Sequence, residues 1–213
     1  MQFATFHDLE DQSVFITGGG SGIGADLTEG FLSQGAKVTF VQRSNPEKFL
    51  AECEGKYKYE PTFIKCDVSH IEELKIALQT TAKEQGAVTV LVNNAANDTR
   101  HTLDEFTSQQ WDQTMEVNLK PHFFAAQEVV EGMKISGGGS IINFSSISYM
   151  MGNEGYPAYA TAKSAITGLT RSLARELGPH SIRVNAIMPG WVLTKRQMKL
   201  WATEEGLSKH LDR

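Results

Sequence analysis

The 213-residue chain is poor in several things, and each shortage narrows what it can be. It has two cysteines, Cys53 and Cys66, in no CxxC or Cys/His cluster, which argues against a disulfide framework and against a zinc site. None of its six histidines falls in HExxH or another paired metal spacing, so no metal is expected. No apolar run approaches the roughly 20 residues that span a bilayer, so no membrane partner is expected. Basic charge is scarce as well: the net charge of −5 offers no field to hold a phosphate backbone, and nucleic acid is not an expected partner. Met1 to Asp11 lacks the charged-then-apolar pattern of a secretory signal, and with the unpaired cysteines this leads us to expect a cytoplasmic protein. Linkers, repeats and low-complexity segments are missing too, and the length suits one domain, 1–213.

What the chain does have is alternation. Apolar, β-branched runs recur at Ser13–Thr17, Lys37–Gln42, Thr62–Lys65, Val88–Val92, Ser140–Phe144 and Ile182–Ile187, with helical periodicity between most of them. Strands alternating with helices imply an α/β fold, a doubly wound parallel sheet with helices on both faces. Gly35, Gly86, Gly137-Gly138-Gly139 and Gly178-Pro179 punctuate it where helices should stop or strands begin. Pro121 sits inside an otherwise helical pattern from about 107 to 134, where it cannot bond the Val117 carbonyl; a kink beside Asn118 is expected.

Thr17-Gly18-Gly19-Gly20-Ser21-Gly22-Ile23-Gly24 follows the first strand and opens a helix. Backbone amides and the helix dipole then converge where a pyrophosphate can sit, through Gly18, Ser21, Gly22, Ile23 and Gly24. After the second strand, Gln42 takes the place of the acidic residue that holds a ribose 2′-hydroxyl, and Arg43 and Ser44 follow. Arg43 either neutralises a 2′-phosphate or is a solvated surface cation; NADP is the favoured cofactor, with NAD the alternative. Asp67, with Val68 behind it, either accepts from an adenine amino group or caps the next helix, and the two roles are compatible. Asn93-Asn94-Ala95-Ala96 puts Asn94 and Ala95 at a strand's carboxyl end, where open sheets bind ligands.

Tyr159 and Lys163 stand at i and i+4, neighbours on one helix face. A tyrosine of pKa about 10 is phenolate in roughly one molecule in 10³ at pH 7, and lowering it by about 3 units requires about 4 kcal/mol. One charge at about 4 Å and an effective dielectric of about 20 supplies that much. The expectation is a phenol made acidic by the Lys163 ammonium. Taken alone the pair is weak; its conjunction with the glycine loop, Asn118 and Ser146 is not.

With these motifs in view, TGGGSGIG at 17–24, NNAA at 93–96, Asn118, Ser146, YxxxK at 159–163 and Pro189-Gly190, the chain resembles the classical short-chain dehydrogenase/reductase family from Ser13 to Gly190. The resemblance implies a Rossmann-like fold and hydride transfer between NAD(P) and a small-molecule alcohol or carbonyl. It implies that Tyr159 is the acid/base, Ser146 holds the substrate oxygen, Lys163 binds the nicotinamide ribose and lowers the tyrosine pKa, and Asn118 supports a proton-relay water. Pro189 and Gly190 fall to the cofactor.

More narrowly, Asn97-Asp98-x-Arg100-His101, Ile142 to Ser148, Pro189-Gly190-Trp191-Val192-x-Thr194, Arg196-Gln197 and Leu200-Trp201 look like the family's aldose dehydrogenases, xylose 1-dehydrogenases in particular. That implies oxidation of an anomeric hydroxyl to a lactone, with Asn97 among the sugar contacts. Trp191 and Trp201 either stack on the sugar or pack a lid. A reductase for another ketone, a dinucleotide-binding protein without turnover and a nucleotide-sugar epimerase are the alternatives. The family also commonly continues through a closing strand that helps form a subunit interface. Here that strand is expected to be missing, leaving an open sheet edge, with a homo-oligomer still the expected assembly.

Overall fold

In a computed structural model, which describes residues 4–211, six strands form one parallel sheet in the order β3-β2-β1-β4-β5-β6. They are β1 (Ser13–Thr17), β2 (Lys37–Gln42), β3 (Thr62–Lys65), β4 (Val88–Asn93), β5 (Gly139–Phe144) and β6 (Ile182–Ile187), matching the six apolar runs to within one residue. The helices are α1 (Ile23–Ser33), α2 (Glu47–Cys53), α3 (Ile71–Gln85), α4 (Ser108–Asn118), α5 (Lys120–Ile135), α6 (Pro157–Leu177), α7 (Lys195–Leu200) and α8 (Glu204–Leu211).

The strand period of two divides the core. Val14 and Ile16 of β1 point to one face, where Leu32 of α1 and Phe49 and Cys53 of α2 cover them together with Val38, Phe40 and Val92. Phe15 points to the other face, among Leu74, Ala77 and Leu78 of α3, Ala125, Val129 and Met133 of α5, and Leu177 of α6. Burial on both faces is why these strands are nearly continuously apolar. Among the described residues β6 pairs only with β5, so its outer side is the sheet's edge.

The kink expected in one long helix is a complete break. α4 ends at Asn118, Leu119 takes φ −128° and ψ −54°, and α5 starts at Lys120. Pro121 therefore sits in the first turn of α5, where its missing N–H costs nothing. α4 itself starts on a reciprocal cap between Thr107 and Gln110.

The strand order reverses between β1 and β4, and ligands bind at the carboxyl ends of such sheets. Side chains stitch those ends together here. Thr17 Oγ1 accepts the N–H groups of Asn94 (2.9 Å) and Ala95 (3.0 Å), Asn93 donates to Asn143 (3.0 Å), and Asn143 donates to Thr170 of α6 (3.0 Å).

Candidate active site

A cleft of about 710 Å³ runs along this carboxyl edge. Its walls include Gly18, Ser21, Gly22, Ile23, Gly24, Arg43, Ser44, Asp67, Val68, Asn94, Ala95, Asn97, Ser146, Tyr159, Lys163, Pro189 and Gly190, every expected site residue except Asn118.

At one end lies the glycine turn. Gly18 and Gly22 hold φ of +71° and +52°, a region open to glycine. A Cβ on Gly24 would stand 1.8 Å from the Gly18 carbonyl oxygen, so α1 can approach the turn only without a side chain there. No side chain caps α1, leaving its first N–H groups and the positive end of its dipole for an anion. The turn is braced from beneath: Asn94 Nδ2 donates to the carbonyls of Thr17 (3.0 Å) and Gly18 (3.1 Å), and Gln42 Oε1 accepts the Gly20 N–H (3.0 Å). Thus the Asn94 Nδ2 group shapes the loop.

Arg43, with a side chain 73% exposed, reaches out at the end of β2, 3.6 Å from the Asp67 carboxylate. Asp67 also accepts from the Ser69 N–H (3.0 Å) and hydroxyl (2.8 Å), closing the turn ahead of α3. Burial pushes its carboxyl up, and the Ser69 hydrogen bonds with the Arg43 charge outweigh that and hold it below the ordinary value. Asp67 therefore closes the turn and lines the cleft, but it does not cap α3, whose cap position is His70.

At the other end sit the proton-handling groups. Ser146 Oγ accepts the Ser148 N–H (3.1 Å), which frees its own proton for the Tyr159 oxygen, with which it is hydrogen-bonded. Lys163 is 1% exposed and donates from Nζ to the Phe144 carbonyl at 2.7 Å. Ser145 Oγ in turn donates to the Lys163 carbonyl at 2.6 Å, tying α6 to the end of β5.

One expectation is corrected here: the lysine does not by itself make the phenol acidic. Its Nζ lies 5.6 Å from the Tyr159 ring centroid and donates to the Phe144 carbonyl, while burial, followed by the Asp98 charge, pushes the phenol up to about 12. The same desolvation brings Lys163 down to about 7, with Asp98 opposing. The dielectric assumed at the sequence level priced attraction and left out what burial costs each partner.

The Asn118 side chain does not reach the cleft. It is wholly buried and grips its neighbours' backbone, accepting from Asn97 N–H (2.8 Å) and donating to the carbonyls of Asn97 (3.1 Å) and Thr114 (2.9 Å). Its side-chain amide sets the position of Asn97.

Over the cleft, the segment leading into α7 is clamped to the loop after β4. Asp98 receives Gln197 Nε2 at 2.7 Å and pairs with Arg196, Arg196 reaches Asn97 at 3.3 Å, and Trp191 Nε1 donates to Gln197 at 3.0 Å. Burial raises the Asp98 carboxyl, but the Gln197 and Arg196 hydrogen bonds prevail and it lies below the ordinary value. Arg100 stacks between Tyr156 (3.8 Å) and Trp201 (5.2 Å). Trp191 and Trp201 thereby serve to pack the cover. Thr194, given no role of its own in the sequence beyond the resemblance, caps α7 and comes against Gly22, where an added Cβ would lie 3.1 Å from its methyl. The signal was present as Thr194-x-x-Gln197, the pattern of a helix cap.

Comparison with known proteins now fits this geometry. The family model for short chain dehydrogenases matches residues 12–205. The chain belongs to the short-chain dehydrogenase family. It is an oxidoreductase of that family, and its cofactor is a nicotinamide dinucleotide. It is 47% identical over 211 residues to the "Probable galactose dehydrogenase GalD" of Rhizobium meliloti, covering 98% of this chain and 82% of that protein. It is equally similar, 47% over 207 residues, to the D-xylose 1-dehydrogenase of Caulobacter vibrioides, covering 97% and 82%. Among solved structures, the aldohexose dehydrogenase of Thermoplasma acidophilum superposes with a TM-score of 0.82 at 30% identity, covering 96% of this chain and 78% of that one.

Proposed function

We propose that this short-chain dehydrogenase oxidises a free aldose at C1 to its lactone. The observation that carries the reading is the Ser146–Tyr159 pair above buried Lys163, opening onto a cleft whose far wall is the polar Asn97, Asp98 and Arg100 loop. Likeness to two dehydrogenases named for aldoses supports it.

The glycine turn, with its uncapped helix and its contact-limited Gly24, fits a diphosphate lying along Gly18 to Gly24, with Pro189 and Gly190 against the nicotinamide end. Bound there in its oxidised form, the dinucleotide supplies the hydride acceptor and a positive charge. The remaining work belongs to the chain. Ser146, already oriented by the Ser148 N–H, donates to the anomeric oxygen and stabilises charge as its proton leaves. Tyr159 takes that proton. Its resting form is the neutral phenol, so to act as the base it must first give its own proton to solvent, and the positive charge on Lys163, with that of the dinucleotide when bound, must outweigh burial and Asp98. Arg196 and Gln197 act in the same direction by neutralising Asp98 and closing the cover against water.

A panel of pentoses, hexoses, ketones and secondary alcohols, each assayed with NAD and NADP at the reduced-nicotinamide absorbance band, tests this. Aldoses are expected to turn over best. Preference for a non-sugar ketone, or dinucleotide binding with no turnover on any member, would overturn the substrate reading.

For the cofactor we propose NADP over NAD. Gln42 brings no carboxylate to the ribose, and its amide is tied to Gly20 and to the Ser44 carbonyl (2.9 Å). Arg43 is the cation at that corner. Arg43→Ala should weaken NADP about tenfold to hundredfold, consistent with a charge-assisted phosphate contact of about 1.5–3 kcal/mol, and NAD little. Titration of each dinucleotide by protein fluorescence checks this; equal weakening would return Arg43 to the surface.

The proposal extends to a cytoplasmic protein that self-associates, supported by half-exposed Trp111 of α4 and Phe123 of α5. Among the described residues no helix is long and apolar enough to cross a membrane, and no cluster of His, Cys, Asp or Glu could hold a metal ion.

A further inference from the structure

α6 carries Tyr159 in its first turn, yet nothing in its own sequence caps it. Tyr156 at the cap position makes no side-chain cap bond and Pro157 has no N–H, so Ala158 presents the helix's first free donor. That donor is taken from far along the chain: Ala158 N–H bonds His101 Nε2 at 3.3 Å. The other ring nitrogen, Nδ1, lies 3.2 Å from the Thr99 carbonyl, and the His101 N–H donates to the Gly155 carbonyl at 2.8 Å. Phe106 stacks on the ring at 3.7 Å between centroids and 17° between planes. Two carbonyls and an aromatic face thus hold one imidazole against the start of one helix.

The network assigns the tautomer. Nε2 accepts, so the ring proton sits on Nδ1 and points at Thr99. We infer that His101 is a positioning residue for Tyr159, acting as a neutral imidazole cap that fixes where α6 begins, one residue before the phenol. A ring that donated from both nitrogens would have no lone pair left for Ala158.

This inference rests on Tyr159 being the acid/base group. It is tested with His101→Ala, which deletes the acceptor, and His101→Gln, whose carboxamide oxygen reaches the Nε2 position without titrating. Three quantities are read: exchange of the Ala158 amide by NMR, dinucleotide affinity, and kcat. In the alanine variant Ala158 should exchange faster and kcat should fall about tenfold to hundredfold, the scale of a small misplacement at a reacting group, with dinucleotide affinity kept. The glutamine variant should recover both, because its carboxamide oxygen restores the acceptor for Ala158.

Unchanged kcat or unchanged Ala158 exchange in the alanine variant overturns the inference. So does a glutamine variant as impaired as alanine, which would make ring packing on Phe106 the whole role. A parent with no dinucleotide-dependent turnover sinks the functional reading instead, and amide exchange still decides the cap.

Discussion

Tyr159→Phe should bind NAD(P) as the parent does and lose about 10²- to 10⁴-fold in kcat, the range covered by a positioned acid or base. The substitution deletes one oxygen. The ring keeps its edge-on packing against Tyr156 at 5.5 Å, and Lys163 keeps its bond to Phe144, so neither the helix nor the cofactor end has reason to move. What vanishes is the proton acceptor and the partner of Ser146. Loss of affinity with kcat intact would mean that the phenol positions and does no chemistry. A stopped-flow single-turnover measurement separates the two, because product release cannot mask the chemical step there.

Lys163→Met should damage function while lifting a burden on the fold. The ammonium is buried and brought down from 10.5 to about 7, so between those values the unfolded chain holds a proton that the folded one gives up. Stability therefore rises with pH across that window. From this group alone the parent should gain about 2 kcal/mol between pH 7 and pH 9, and below pH 7 the whole cost of about 5 kcal/mol remains. Methionine abolishes the gain, although it leaves the Phe144 carbonyl without its donor at a cost of about 1–3 kcal/mol. Urea unfolding of both proteins at the two pH values reads the difference. The Cys66 thiol, raised by burial to about 11, titrates in both and cancels. His122, buried beside Lys163 near the carbonyls of Asn93 and Phe144 but with neither ring nitrogen well bonded, is held far below its usual value and stays neutral throughout. Parallel curves would show that Lys163 is solvated in the folded state. Turnover in the methionine variant should fall at least about 10²-fold, since a buried charge beside the reacting proton is lost.

The fold was legible because β1, β2, β4 and β5 are buried on both faces and so had to be written in apolar residues, with glycines where helices stop. The cleft was legible for the same kind of reason: a turn such as Gly18 to Gly24, where one Cβ would strike a carbonyl, leaves a signature that few sequences carry by accident. Desolvation was not legible. Spacing shows that Tyr159 and Lys163 share a helix face, but only the fold shows that Phe144 claims the ammonium and that Asp98 faces the phenol. Pro121 announced an interruption without revealing whether the helix bends or restarts, because either places proline where its missing N–H is tolerated. The contacts of Asn118 with Asn97, of Arg196 with Asp98 and of His101 with Ala158 join segments separated by 21, 98 and 57 residues, which no local pattern encodes.

The most direct test of the account uses an aldose carrying deuterium on C1. Incubated with the enzyme and oxidised NAD(P), it should place the label on C4 of the nicotinamide and yield the lactone in equal amount, with the hydroxyl proton released to solvent. Deuterium retained in the sugar, or washed into water with no label on the nicotinamide, would contradict hydride transfer from the anomeric carbon.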